Sequence, residues 1–180
     1  LGKKEGKFLK YYTDDKLLSE THYKNNKING KLTNYYYNGN ILSKKNYNNG
    51  KLDGEYYDYY STGQLLSKKK YKNGKLNGQY LSYYNNGQLK NKSNFIDGMQ
   101  EGEQLIYHEY ELDKILQLKV IQNFKAGKLD GEYYLFDERG QIRKKAYYKN
   151  NKLEGKCFLY DENGELYETL FYKNGIFISN

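Results

Sequence analysis

Carboxylates stand two residues apart at Asp53/Glu55, Glu101/Glu103 and Asp130/Glu132, and Glu154 repeats half of the pattern. Such pairs can divide acid and base work between them. A catalytic pair is needed once, whereas this one recurs beside glycine after glycine. Cross-strand partnership with lysine is the better reading, each such pair contributing about 0.2–1 kcal/mol. The two histidines, His22 and His108, lie far apart, and neither has a partner at metal-ligand spacing. His108 falls where other repeats carry Tyr12, Tyr36, Tyr60 and Tyr84, so it reads as a stand-in for an aromatic ring. The stretch DENGE at residues 161–165 lacks the long ligand loop of a calcium site. No G-x-x-x-x-G-K-[ST] phosphate loop occurs. Cys157 is the only cysteine, which excludes an intrachain disulfide and a cysteine metal cluster. It takes the place of Phe8, Tyr56 and Tyr133 and reads as a small buried hydrophobe. These residues imply no catalytic site, no metal and no cofactor, and the expectation is a protein that is not an enzyme.

A ladder of cations is the more informative pattern. Lys44, Lys68, Lys92 and Lys145 share one position in the repeat. One repeat is two strands, so these lysines would stand about 10 Å apart. Tyr35, Tyr59 and Tyr83 fall on the same face, beside Leu42 and Leu66. Ammonium groups beside phenol rings suit an acidic polymer or the acidic edge of a protein. A solvated face that discourages sheet stacking is the plainer alternative. The expected contact residues are Tyr35, Tyr59 and Tyr83 as rings and Lys44, Lys68 and Lys92 as charges. Single-stranded nucleic acid also favours basic grooves with stacking rings. Here acids are interleaved with the lysines, and Arg139 and Arg143 are the only arginines, which argues against nucleic acid.

The elements that would hold these residues follow from a repeat. Gly6, Gly30, Gly54, Gly78, Gly102, Gly131 and Gly155 mark seven units, 24 residues apart except between Gly102 and Gly131. Aromatics follow five residues on, at Tyr11, Tyr35, Tyr59, Tyr83, Tyr107, Phe136 and Tyr160. Others close the units, at Tyr23, Tyr47, Tyr71, Phe95, Phe124, Tyr148 and Tyr172. A fixed period of this length marks a repeat architecture. Each unit has two turn signals, such as Thr62-Gly63 and Asn73-Gly74, and such pairs between β-rich runs signal tight hairpins. The chain therefore reads as all-β: an elongated, single-layer antiparallel meander of about fourteen short strands, one array over residues 1–180. Proline is absent, which suits backbone donors engaged in a sheet.

Register follows from the turns. With Thr62-Gly63 as a two-residue loop, Tyr60 lies opposite Leu65; with Asn73-Gly74 as the next, Tyr71 lies opposite Leu76. Gly54, Tyr56, Tyr60, Leu65, Ser67, Tyr71 and Leu76 then share one face. Glu55, Tyr57, Tyr59, Leu66, Lys68, Lys70 and Lys75 share the other. Each glycine leaves a gap that a neighbouring ring can cover.

Composition bounds the partners. The charge is +8 and only 37% of residues are hydrophobic, a count that includes 24 tyrosines. Acidic partners are compatible with that charge, and no run approaches the length of a membrane-spanning helix. The chain starts at Leu1; a removed leader would direct it to the surface or outside the cell, and otherwise the cytoplasm is expected.

The pattern Y-Y-x-x-G-x-L-x-x-x-x-x-Y-x-N-G-K-L-x-G resembles the MORN repeat, above all its bacterial variant with the longer unit. YKNGKLNG at residues 71–78 and YKNNKLEG at residues 148–155 carry the resemblance. It covers nearly the whole chain. It departs in the fifth unit, where residues 106–124 hold five extra residues, and in the first, where Asp14-Asp15 and Asn25-Asn26 replace the turn pairs. The resemblance implies a binding or scaffold module with protein, lipid or self-association partners. The bacterial variant is similar to a family of immunity or antitoxin proteins, and related arrays occur on exported proteins. Two functional expectations result. One is a Tyr-rich surface for a protein partner or a second copy. The other is a surface array that binds acidic glycan or anionic lipid through the lysines. The irregular stretch from Tyr107 to Phe124 is a further candidate site.

Overall fold

A tight turn that accepts two left-handed residues seeds each repeat. Asn49-Gly50, Asn73-Gly74, Asp97-Gly98 and Asn174-Gly175 have positive φ at both positions, as do Asn25-Asn26, Ala126-Gly127 and Asn150-Asn151. A two-residue type I′ hairpin requires this. The computed structural model describes residues 2–110 and 116–180, so part of the irregular fifth unit, residues 111–115, lies outside the described residues. The described chain is strand and turn, without helix.

Two compact units are present, Leu1–Gly87 and Gln88–Asn180. The first holds β1 (Gly6–Tyr11), β2 (Leu17–Lys24), β3 (Lys27–Tyr35), β4 (Ile41–Asn48), β5 (Lys51–Tyr59), β6 (Leu65–Lys72), β7 (Lys75–Leu76) and β8 (Gly78–Tyr83). The second holds β9 (Leu89–Ile96), β10 (Met99–Gln100), β11 (Gly102–Tyr107), β12 (Leu118–Lys125), β13 (Lys128–Phe136), β14 (Ile142–Lys149), β15 (Lys152–Leu153), β16 (Gly155–Tyr160), β17 (Leu166–Lys173) and β18 (Ile176–Ser179). Within each unit consecutive hairpins pair antiparallel, the expected one-layer meander. There are more strands than the fourteen expected. Three of those break in two near the repeat glycine, as β7/β8, β10/β11 and β15/β16, and β18 is added at the end.

The same place in β5, a strand that stays unbroken, carries a bulge. Tyr47 faces Leu52 and Lys45 faces Tyr56, so three residues of β5 oppose Asn46 alone. Asn46 Nδ2 donates to the Glu55 carbonyl at 2.8 Å and satisfies the acceptor that this bulge leaves free. Gly54 takes φ +105 there, a conformation that side chains resist. The closing aromatics lie opposite these glycines in the register: Tyr71 faces Gly54, Tyr47 faces Gly30 and Tyr148 faces Gly131. The next ring along packs beside the closing one, with centroids 5.7 Å apart for Tyr56–Tyr71 and 5.6 Å for Tyr133–Tyr148.

The first turn of each repeat departs from the expected geometry. Tyr60 N–H donates to Gln64 O at 2.8 Å, and Gly63 N–H donates to Tyr60 O at 2.9 Å. The loop is therefore three residues, 61–63, rather than two. The glycine alone takes a positive φ, at +94 for Gly63, and the same three-residue turn closes at Asn38-Gly39 and Asn163-Gly164. Tyr59, not Tyr60, faces Leu65, and a bulge at Asp58/Tyr59 restores the expected register from Asp58↔Ser67 inward. Leu65 thus leaves the face assigned to it and joins Tyr59. Tyr56, Ser67, Tyr71 and Leu76 keep their shared face, joined there by Asp58 and Lys69.

That face carries what each unit buries. In the first unit it buries Ser19, Thr21, Ser43, Ser67 and Ser82. Asn34 Nδ2 donates to Ser43 Oγ at 3.0 Å, and Ser67 Oγ donates to Asp58 Oδ2 at 3.0 Å. Lys69 Nζ reaches the same carboxylate oxygen at 2.7 Å. Burial, with the Asp58 carboxylate close by, pushes the Tyr56 hydroxyl far above its ordinary pKa. In the second unit the buried residues are Ser93 and the apolar Val120, Ala146 and Cys157.

Candidate functional site

The recurring carboxylates meet, in the main, backbone N–H groups rather than lysine. Asp53 Oδ2 accepts the N–H of Asn73 at 3.0 Å, twenty residues on, in the turn of the next repeat. Glu5 accepts from Asn25 at 2.8 Å, Glu101 from Ala126 at 2.8 Å, Asp130 from Asn150 at 3.1 Å and Glu154 from Asn174 at 2.7 Å. The first residue of a left-handed turn points its N–H away from its own hairpin, and a charged acceptor from the preceding repeat satisfies it. The expected lysine partnership is realised at Glu55, 3.6 Å from Lys68 Nζ.

Both histidines are framework as well. Tyr12, Tyr36 and Tyr60 each donate a hydroxyl to a carbonyl of the next repeat, Tyr35 O at 2.9 Å, Tyr59 O at 2.8 Å and Tyr83 O at 2.8 Å. His108 Nε2 does the same to Phe136 O at 3.2 Å, so the imidazole does stand in for a tyrosine. His22 Nδ1 donates to Lys31 O at 3.2 Å, at the repeat position of Asn46 and Asn123. Cys157 is buried, and that burial pushes its thiol pKa up against the opposing pull of Lys144. No group of histidine, cysteine and carboxylate suited to a metal exists among the described residues.

The opposite face of the first unit holds the half-buried rings of Tyr35, Tyr57 and Tyr59 beside the exposed Lys31 and Lys44. Thr33 faces Glu20 on one side and Lys44 on the other, and Lys44 faces Tyr57. A groove of about 410 Å³ opens across these strands, lined by Glu20, Lys31, Thr33, Tyr35, Lys44 and Tyr57 among others. Lys44 Nζ lies 5.8 Å from the Tyr59 ring centroid and Lys68 Nζ 5.7 Å from that of Tyr57. Burial raises the Tyr59 pKa, and the Glu55 carboxylate raises that of Lys68. Of the residues expected from the sequence, Tyr35 and Lys44 meet in the groove, and Tyr59 and Lys68 flank it. Tyr83 is half-buried on β8, its carbonyl taken by Tyr60. Lys92 is exposed and belongs to the second unit, opposite Leu105. Sequence reasoning missed Lys31, Thr33 and Tyr57 as groove residues.

The profile of the family described as MORN repeat variant matches residues 4–25, 28–49, 52–73, 76–97, 129–150 and 153–174. The chain belongs to the MORN repeat variant family. The matches skip the fifth unit, where the sequence departs from the pattern, yet Gly102 still faces Phe124 there and keeps the MORN register. No curated protein matches the chain. MORN repeats are commonly modules that bind proteins or membranes, and their all-β scaffold is generally non-enzymatic.

Proposed function

We propose that this chain is a non-enzymatic protein-binding module whose Tyr- and Lys-bearing face, centred on the first unit, holds a protein partner. The observation that carries this is a division of labour. Asp53, Glu101, Asp130, Glu154 and His108 are engaged in joining one repeat to the next, while another face of the first unit presents rings and cations around an open groove. Tyrosine suits such a surface because it combines apolar area with a polar tip. Tyr35, Tyr59 and Tyr83 are the proposed contact rings, and Lys44, Lys68 and Lys92 the charge contacts. Capture of partners from the native cell by wild type and by Tyr59→Ala/Tyr83→Ala tests it. Capture should fall sharply while the urea unfolding midpoint moves little. Equal loss of both would make the rings core. An immunity or antitoxin role fits this reading and predicts that the chain protects cells from a toxin encoded beside it.

A second reading has Lys44 and Lys92, both exposed, bind acidic glycan or anionic lipid. Salt separates the two, since charge reach shrinks to about 3 Å at 1 M. Binding that survives high salt favours the rings; binding that vanishes favours the lysine ladder.

A further inference from the structure

The groove exists because one row of side chains has a small member. Three residues past each repeat glycine stand Leu9, Thr33, Tyr57, Leu81, Leu105, Tyr134 and Phe158. Six are large and apolar or aromatic; Thr33 alone is short and bears a hydroxyl. Thr33 sits in the middle of the groove lining, between Glu20 and Lys44 in the strand register, with Tyr35 and Tyr57 also lining it.

The charge there also varies between repeats. One residue past the glycine, the third, fifth and sixth repeats carry Glu55, Glu103 and Glu132, the first, second and seventh carry Lys7, Lys31 and Lys156, and the fourth carries Gln79. In the third repeat that acid pairs with the ladder lysine, Glu55 with Lys68. In the second repeat the acid is missing, so Lys31 and Lys44 line one groove together. Glu20, the carboxylate in the lining, is held by Lys7 at 2.9 Å. Neither Lys31 nor Lys44 has an ion-pair partner among the described residues.

We infer that the groove over Thr33 binds an acidic side chain of a protein partner. The carboxylate sits between the Lys31 and Lys44 ammonium groups, and its aliphatic stem or apolar neighbour lies against Tyr35 and Tyr57. This rests on the protein-binding reading and names the chemistry of its partner. A carboxylated sugar would offer the same charge but needs a ring of hydrogen-bonding groups. The Asn46 amide, which could have supplied them, already donates to Glu55 O. Ring faces and two ammonium groups match an acid on a hydrocarbon stem better.

Titration of the full chain with labelled poly-L-glutamate tests this, with hyaluronan and phosphatidylserine vesicles as the sugar and lipid arms. Thr33→Tyr fills the gap with the residue found at the same place in the third repeat. Lys31→Gln removes one of the two groove ammonium groups and guards against a folding defect in the first variant. Each should weaken poly-L-glutamate binding about tenfold or more, the equivalent of 1.4 kcal/mol. Lys149→Gln, exposed in the second unit and outside the groove, should change it less than twofold. Unchanged affinity in Thr33→Tyr and Lys31→Gln overturns the inference, as does a wild type that binds hyaluronan or vesicles but not poly-L-glutamate. If both variants still capture the cellular partner while Tyr59→Ala/Tyr83→Ala does not, this inference fails and the broader protein-binding reading stands.

Discussion

Ser43 and Ser67 in the first unit and Ala146 and Cys157 in the second are all almost fully buried on the same face of the repeat, yet they are buried by different means. Hydroxyls in the first unit need acceptors, and Ser67 finds one in Asp58 while Ser43 takes a donor from Asn34. The second unit packs a methyl and a thiol that need no partners, and keeps one buried hydroxyl, Ser93, which takes a donor from Asn91. The joints between repeats differ in parallel. Tyr12, Tyr36 and Tyr60 reach to the next repeat with a neutral hydroxyl. At the same position in the last two repeats stand Asp137 and Asp161, which fold back on their own turns. There Arg139 makes the reach instead, to Glu162 O at 2.7 Å. One repeat plan thus tolerates two chemistries, at its buried face and at its joints.

The largest effect that would sharpen this contrast is at the glycines. A Cβ on Gly131 would lie 2.8 Å from Asn123 Cβ, with φ at +129, whereas one on Gly6 would meet nothing within 4 Å. Gly131→Ala should cost about 2–5 kcal/mol in urea unfolding, from left-handed strain of about 1–2 plus overpacking of about 1–3. Gly6→Ala should cost only the strain. Next in size, Cys157→Ser places a hydroxyl in the apolar row and should cost about 1–3 kcal/mol. If it is neutral, the two buried rows are interchangeable and the contrast fails. Tyr36→Phe deletes one inter-repeat hydrogen bond and should cost about 0.5–1.5 kcal/mol by the same measurement.

The smallest effect is in acid. Burial alone would raise the Asp137 carboxyl, but the N–H groups of Gln141 and Arg139 and the Arg143 guanidinium outweigh it and hold the pKa below its ordinary 3.8. A depressed value means that the ionised form stabilises the fold above pH 3.8, and that this is lost as pH falls through the lower folded value. Asp161 is lowered too, chiefly by the Glu165 N–H. Asp137→Asn should therefore flatten the decline in thermal midpoint below pH 4, and Tyr36→Phe should leave its slope unchanged.

The period, the type I′ turns and the pairing of each glycine with its closing aromatic were legible because they depend on residue type alone. The three-residue first turn was not. It depends on the glycine alone taking the left-handed conformation, even after an asparagine as at Asn38-Gly39, and on a bulge that moves Leu65 without disturbing Asp58 and Ser67. The task of the carboxylates was hidden for another reason: Asp53 meets Asn73 only once the repeats are stacked, at a separation no strand rule suggests. Thr33 was visible all along as the one short residue in a row of large ones. Its meaning needed the register that puts Lys31, Lys44 and Tyr57 around it.

Amide hydrogen exchange across the whole chain, with and without poly-L-glutamate, tests most directly whether one face folds the protein and the groove of the first unit holds the partner. Slowed exchange confined to β3, β4 and β5 is the expected result, with β13, β14 and β16 unchanged. Equal slowing in both units, or slowing in the second unit alone, would contradict the account.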